Sequence, residues 1–178
     1  MLPCLTGLAQ DQPSYDPTQL IQIAHQAIAR EIQHWDPEQA NQSQIPSRPV
    51  FVTIELGGRV VGCRGTLEVR KASLQQEVEE DARAACAHDP RYRPLSASDL
   101  PKILVTVTVI DRLQPVSSVD GLGPEDGLVL KADGKTGVVL PWEGKDPRTR
   151  LKWAYRKAGV AEGASATLFR MVARRDRG

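Results

Sequence analysis

Cysteine is scarce. The chain has three, Cys4, Cys63 and Cys86, an odd number with no Cys-x-x-Cys spacing. That disfavours both a disulfide-stapled scaffold and a cysteine-cluster zinc site. Charge of one sign is also lacking: 23 Lys and Arg against 22 Asp and Glu leave a formal net charge of +1. Such a balance exerts no strong pull on DNA, RNA or anionic lipid, so neither a nucleic-acid nor a membrane partner is expected. No apolar run approaches the roughly 20 residues that span a bilayer. The segment Met1–Gln10 has neither a basic start nor an apolar stretch of leader type, so it reads as no secretory signal. The expectation is a cytoplasmic protein with reduced thiols. The three histidines, His25, His34 and His88, are not at ligand spacing, and no metal site is expected. Phosphate-loop glycines are missing too. Gly134-Lys135-Thr136 has Val129 where the upstream glycine belongs, and Gly121-Leu122-Gly123 has Asp126 where a third glycine belongs.

What is present is an ordinary globular composition: 178 residues, 40% hydrophobic and 25% charged, enough for one compact domain or a large and a small lobe. Residues 1–15 read as a flexible arm. Asp16-Pro17 then supplies an N-cap and a first-turn proline for an amphipathic helix over about 17–35, stopped by Asp36-Pro37. Residues 36–49 read as a surface loop. Phe51–Leu56, Gly57-Gly58 and Val60–Val69 form a hairpin pattern. Ser73 with Gln76 caps a helix running to about Cys86, and prolines 90 and 94 stiffen the loop behind it.

Ile103–Ile110 reads as a strand in which Thr106 and Thr108 alternate with valines, leaving one face more buried. A Gly/Pro-rich connection over 114–127 marks a candidate lobe boundary. Leu128–Leu130 and Gly137–Leu140 flank the turn Asp133-Gly134. A helix from Asp146-Pro147 to the C-cap Gly159, a strand over 166–172 and a charged tail over 174–178 complete the chain. Two hairpins among three helices argue for an α+β fold with a mostly antiparallel sheet and flanking helices.

Gly62-Cys63-Arg64-Gly65 is the most unusual local feature. Two glycines in a strand weaken it unless the backbone bulges or something must approach closely. A cysteine between them, beside Arg64, is a candidate nucleophile or redox thiol, since a cationic neighbour favours the thiolate and Arg64 could also hold a carboxylate or phosphate. The plainer alternative is a buried structural cysteine beside a bulge. Strand alternation sends Cys63 and Arg64 to opposite faces unless a bulge re-aims one. A Cys63–His88–Asp89 relay is a third reading, weakened because adjacent His and Asp on a short loop do not readily orient one another. Asp89-Pro90-Arg91-Tyr92-Arg93-Pro94 is a rigid display in which Arg91 and Arg93 offer forked donors to an anion and Tyr92 an aromatic platform. It reads equally well as a structural clasp, with Asp89 capping its own turn and Arg91 paired to a carboxylate.

These stretches together resemble the AMMECR domain family, also called AmmeMemoRadiSam system protein A. Gly62-Cys63-Arg64-Gly65-Thr66 is similar to the Gly-Cys-Ile-Gly-Thr part of its signature. Asp89–Leu95 is similar to its Asp-Pro-Arg-Phe-x-Pro-Leu, and Asp126–Leu130 to its Gly-Leu-x-Val strand. Gly137–Pro141 resembles its Gly-Leu-Leu-Leu-Pro, and Lys157–Val160 its Lys-Ala-Gly-Leu. The match runs over about 18–173. One departure is central: the family has Arg before Gly-Cys where this chain has Val61, and Arg64 stands where Ile is usual.

The resemblance implies a single domain over 16–173, with two unequal lobes and Cys63 near the cleft between them. It associates the chain with a Memo-like protein and a radical-SAM enzyme, but supplies no reaction, substrate or cofactor. Two functional readings follow. In one, Cys63 is catalytic in a cleft that Arg64, Asp89, Arg91 and Tyr92 shape for a small polar or anionic ligand. In the other, the chain is a non-catalytic binding or scaffold module, with Gly62 and Gly65 admitting a partner strand or a cofactor to the backbone.

Overall fold

Side-chain caps start the three helices. Asp16 Oδ1 accepts from Thr18 N at 2.9 Å to open α1 (Pro17–Ile32). Ser73 Oγ accepts from Gln76 N at 3.3 Å to open α2 (Leu74–Ala87). Asp146 Oδ1 accepts from Thr149 N at 2.9 Å to open α3 (Pro147–Ala158), which Gly159 ends in the left-handed region at φ 67°. The computed structural model describes residues 15–35 and 45–178. Positions 1–14 of the expected arm over 1–15, the Asp36-Pro37 stop and loop positions 36–44 lie outside the described residues, whereas Tyr15, the arm's last position, is buried against the core and not loose. Helix α1 is three residues shorter than its sequence pattern suggests, because His34 takes φ 51° and turns the chain out of the helix.

Six strands, β1 (Val50–Leu56), β2 (Arg59–Gly65), β3 (Ile103–Val116), β4 (Gly127–Ala132), β5 (Lys135–Val139) and β6 (Thr167–Arg177), form one antiparallel sheet in the order β2-β1-β3-β6-β4-β5. The fold is α+β, as the element order implies. On one face Val50, Val52, Ile54, Val105, Val107 and Val109 bury themselves under α1 and α2 in the larger cluster. Leu128, Leu130 and Val139 pack with Ala154 and Ala158 of α3 in the smaller one. The opposite face is concave. There Cys63 and Phe51, from one end of the sheet, share a cluster with Val138 and Leu140 from the other. The sheet therefore curls until its two edge strands face each other, giving two unequal helix-backed halves and a gap between β2 and β5.

Several sequence expectations shift. Strand β2 ends at Gly65, because Thr66 Oγ1 turns back onto Glu68, accepting from its N at 3.3 Å and donating to its O at 2.6 Å. The bulge is not at Cys63: Ile54 pairs Gly62 and Glu55 pairs Val60, which makes Val61 the extra residue. The connection over 114–127 shrinks to 117–126, since Gln114–Val116 still pair with β6. The expected charged tail is sheet. Arg174–Arg177 pair with Thr106–Val109, and their charges are met by Asp111 for Arg174 and Glu55 for Arg177. Thr106 and Thr108 are buried like their valine neighbours, because the curl covers the second face as well.

Each edge strand carries a glycine where a helix backbone presses in. A Cβ on Gly62 would overlap the Ala85 carbonyl of α2, and a Cβ on Gly137 would overlap the Ala154 carbonyl of α3. The close approach that the glycines of β2 permit is made by the chain's own helix. Gly65 is similarly confined by the Val50 carbonyl and the Phe51 ring. Replacing Gly62 or Gly137 by valine is expected to lower stability by about 1–3 kcal/mol or to block folding, as over-packing does. Urea denaturation of each variant checks this, and Gly121→Ala, with open space around it and no left-handed backbone to strain, serves as the contrast.

Candidate functional site

The gap between β2 and β5 is a cleft of about 450 Å³. Cys63, Arg64 and Gly65 line one side and Thr136, Val138 and Leu140 the other, with Phe51, Arg91 and Lys157 completing it. Cys63 reaches it because Gly62 is pinned against α2, so the next residue along the strand faces the concave side. Arg64 is exposed at the rim, and its side chain makes no ion pair or hydrogen bond among the described residues. Gly62 lies under α2, away from the cleft.

The loop after α2 holds this strand by its outer edge. Asp89 Oδ2 accepts from Cys63 N at 2.9 Å, and Arg91 NH2 donates to Cys63 O at 2.7 Å. Both backbone groups of Cys63 are thus satisfied as a neighbouring strand would satisfy them. Arg91 Nε and NH2 donate to the two oxygens of Asp89 at 2.9 and 2.7 Å, in the forked geometry peculiar to arginine. Tyr92 supports the pair, with the Arg91 guanidinium 5.4 Å from its ring centre. Of the two readings of this loop, the clasp describes its contacts: Asp89 is consumed in holding Arg91 and Cys63, and only the exposed flank of Arg91 faces the cleft.

The electrostatics follow from burial. Asp89 is buried, which by itself opposes ionisation, but hydrogen bonds from Arg91 and from Cys63 N outweigh that and hold its carboxyl at about 2. For Cys63, burial dominates and pushes the thiol up, and the Glu143 carboxylate adds to it, against a hydrogen bond donated by Thr53 Oγ1 to Sγ at 3.3 Å and pulls from Lys157 and Arg91. The expected depression of this thiol by Arg64 is therefore overturned. Arg64 reaches solvent rather than the sulfur, and desolvation makes the neutral thiol the resting form at pH 7. The Cys63–His88–Asp89 relay is absent as well: His88 Nε2 meets Glu31 Oε1 at 3.2 Å on the outer surface. Among the described residues no group of His, Cys, Asp or Glu is placed to hold a metal ion, and no helix is long and apolar enough to cross a membrane.

Sequence reasoning missed Thr53 and Lys157. Thr53 alternates with Val52 and Ile54, which marks it as facing away from the main core, but its pairing with Cys63 depends on the bulged register. Lys157 reads only as a residue of the last turn of α3, and curling of the sheet is what brings it to the cleft.

Asp89→Asn is expected to cost about 2–4 kcal/mol, because Arg91 and Cys63 N lose a charged acceptor. The pH dependence has a definite sign. A carboxyl lowered from 3.8 to about 2 on folding contributes stability above pH 4 and loses it as pH falls toward 2. Denaturation midpoints across that range check this. The wild type should show the acid slope and the asparagine variant should lack that part of it.

Comparisons with known proteins agree with this architecture. The AMMECR1 family model matches residues 21–173. A protein of Thermotoga maritima is 34% identical over 116 residues, covering 63% of this chain and 67% of its own length. One of Aeropyrum pernix is 30% identical over 157 residues, covering 79% of this chain and 68% of its own. The crystal structure of an uncharacterized protein from Pyrococcus horikoshii superposes with a TM-score of 0.72 over 88% of each chain at 20% identity, a likeness of fold. With a match of that extent over the domain just described, the chain belongs to the AMMECR1 family.

Proposed function

We propose that this protein binds a small anionic molecule in the gap between β2 and β5 and acts on it through Cys63. The observation that carries this reading is the composition of the cleft: Arg64, Arg91 and Lys157 line it with Cys63, and no carboxylate does. Arg91 is neutralised by Asp89, and Lys157 is paired with Glu143 at 2.7 Å, so Arg64 is the cation left for a ligand and the other two add field and donors. In this family-atypical arrangement Arg64 supplies charge at the rim, whereas Val61 is the bulged residue and packs toward the helices.

A resting neutral thiol limits what Cys63 does. It donates or accepts a weak hydrogen bond to the bound group, and becomes a nucleophile only where the ligand or its reacting partner removes the proton. This suits a protein in the cytoplasm, where Cys63 and Cys86 remain thiols. The scaffold reading, with a Memo-like or radical-SAM protein as partner, is less well supported at this strand. A partner strand adding to β2 at Cys63 finds that residue's outward N–H and C=O already taken by Asp89 and Arg91.

Alkylation with iodoacetamide, followed by mass spectrometry of the Cys63 and Cys86 peptides, tests the proposal. Cys63 is expected to label slowly at neutral pH, faster as pH rises, and ahead of Cys86, whose burial pushes its thiol up to about 12. Inorganic pyrophosphate should slow labelling of Cys63 several-fold in the wild type and much less in Arg64→Ala. Labelling of Cys63 that never exceeds that of Cys86, or that ignores pyrophosphate, overturns it.

A further inference from the structure

The concave face holds a second recess, of about 220 Å³, beyond the Cys63 cleft. Its floor comes from sheet residues set by register. Thr53 pairs with Thr106, and Thr108 pairs with Arg175, so two hydroxyl-bearing rows run across β1, β3 and β6. The Thr106 hydroxyl is buried with no hydrogen-bond partner among the described residues. A buried hydroxyl without a partner is costly, and Thr106 is one of the residues that line the recess. Arg175, partly buried beside it, makes no hydrogen bond or ion pair among the described residues. The other ionised groups facing it are already engaged: Glu55 accepts from Arg177 at 2.7 Å, and Glu143 accepts from Lys157 and from Leu140 N.

The rim carries Trp142, 57% exposed, with its backbone in the left-handed region at φ 65°. A bulky residue adopts that conformation only where its surroundings enforce it, here with Trp142 N donating to Pro124 O at 2.8 Å. Trp142 thereby lines the recess and stays exposed instead of packing into the core.

We propose that this recess is a carboxylate-binding subsite for a small planar molecule, with Arg175 and the Thr106 and Thr108 hydroxyls on the carboxylate and Trp142 against the ring. The planar guanidinium fork matches a carboxylate. One free cation beside two satisfied glutamates suits a single negative charge and opposes a doubly charged phosphate. Burial weakens the Arg175 cation, with Arg177 adding repulsion and Glu55 partly offsetting both, so a bound anion relieves a cost already present. The subsite stands independently of what Cys63 does. It adjoins that cleft through Leu140, which lines both, and through Thr53, whose hydroxyl reaches the sulfur.

Benzoate is the probe, followed by calorimetry and by tryptophan fluorescence at fixed ionic strength, with inorganic phosphate as the charge control. Benzoate is expected to bind the wild type and perturb the emission of Trp142, identified by its loss in Trp142→Phe. Affinity should fall tenfold or more in Arg175→Gln and several-fold in Thr106→Val. Both variants should fold, since Arg175 makes no hydrogen bond or ion pair among the described residues, and Thr106→Val should melt at the same or a higher temperature. Arg64→Ala should leave benzoate binding intact, and Arg175→Gln should leave pyrophosphate protection of Cys63 intact, so the two sites fail separately. Absence of benzoate binding, binding unchanged in Arg175→Gln, equal binding of phosphate, or a lower melting temperature in Thr106→Val overturns the assignment.

Discussion

Two backbone-to-backbone contacts govern this molecule. Gly62 of β2 lies against the Ala85 carbonyl of α2, and Gly137 of β5 lies against the Ala154 carbonyl of α3. Only glycine tolerates so short an approach, because any Cβ would occupy the space of the carbonyl. The helices contribute small faces at these places, with Ala82, Ala85 and Cys86 on α2 and Ala154 and Ala158 on α3. Each edge strand is thereby fixed in rotation about its own axis. Once Gly62 faces outward, Cys63 must face inward, and the same logic sends Thr136 and Val138 toward the gap from the other side. The candidate site is thus a consequence of how the sheet edges are held.

Edges of sheets invite further pairing, and this one is protected at the point that matters. Asp89 and Arg91 occupy the N–H and C=O of Cys63, substituting side chains for a neighbouring strand. The same contacts stop the strand from sliding, which would exchange every residue between its two faces. A loop that reads from its residue types as an anion display therefore contributes mainly position, and its cation reaches the cleft already neutralised by its neighbour.

Most of the architecture was legible in residue order. Caps at Asp16, Ser73 and Asp146, the turns at Gly57-Gly58 and Asp133-Gly134, and the valine-rich β3 each announce themselves through local chemistry, and hairpins between helices imply α+β. What failed was long-range. Arg174–Arg177 look like a solvated tail because four charged residues in succession carry no apolar period, yet β3 supplies a full ladder and Asp111 and Glu55 supply counter-charges. Cys63 was legible as a candidate. Its environment was not, because the neighbours that set its protonation come from β1, the α2–β3 loop and α3. Arg64 is adjacent in sequence and lines the same cleft from its rim, yet it is not among the groups that set the protonation of the thiol.

The concave face carries an unusual mixture. Thr53, Thr106 and Thr108 occupy positions where branched apolar residues of similar volume would pack without leaving a hydroxyl to satisfy. Of these, Thr53 donates to Cys63 Sγ, and Thr106 has no internal acceptor among the described residues. A surface made only for stability would not retain such groups in one recess with an exposed tryptophan and an arginine that has no ion pair among the described residues. A polar group entering there would recover the stabilisation withheld, and both proposed sites, the threonine-lined floor and the thiol cleft, lie on the concave face rather than the helix-covered one.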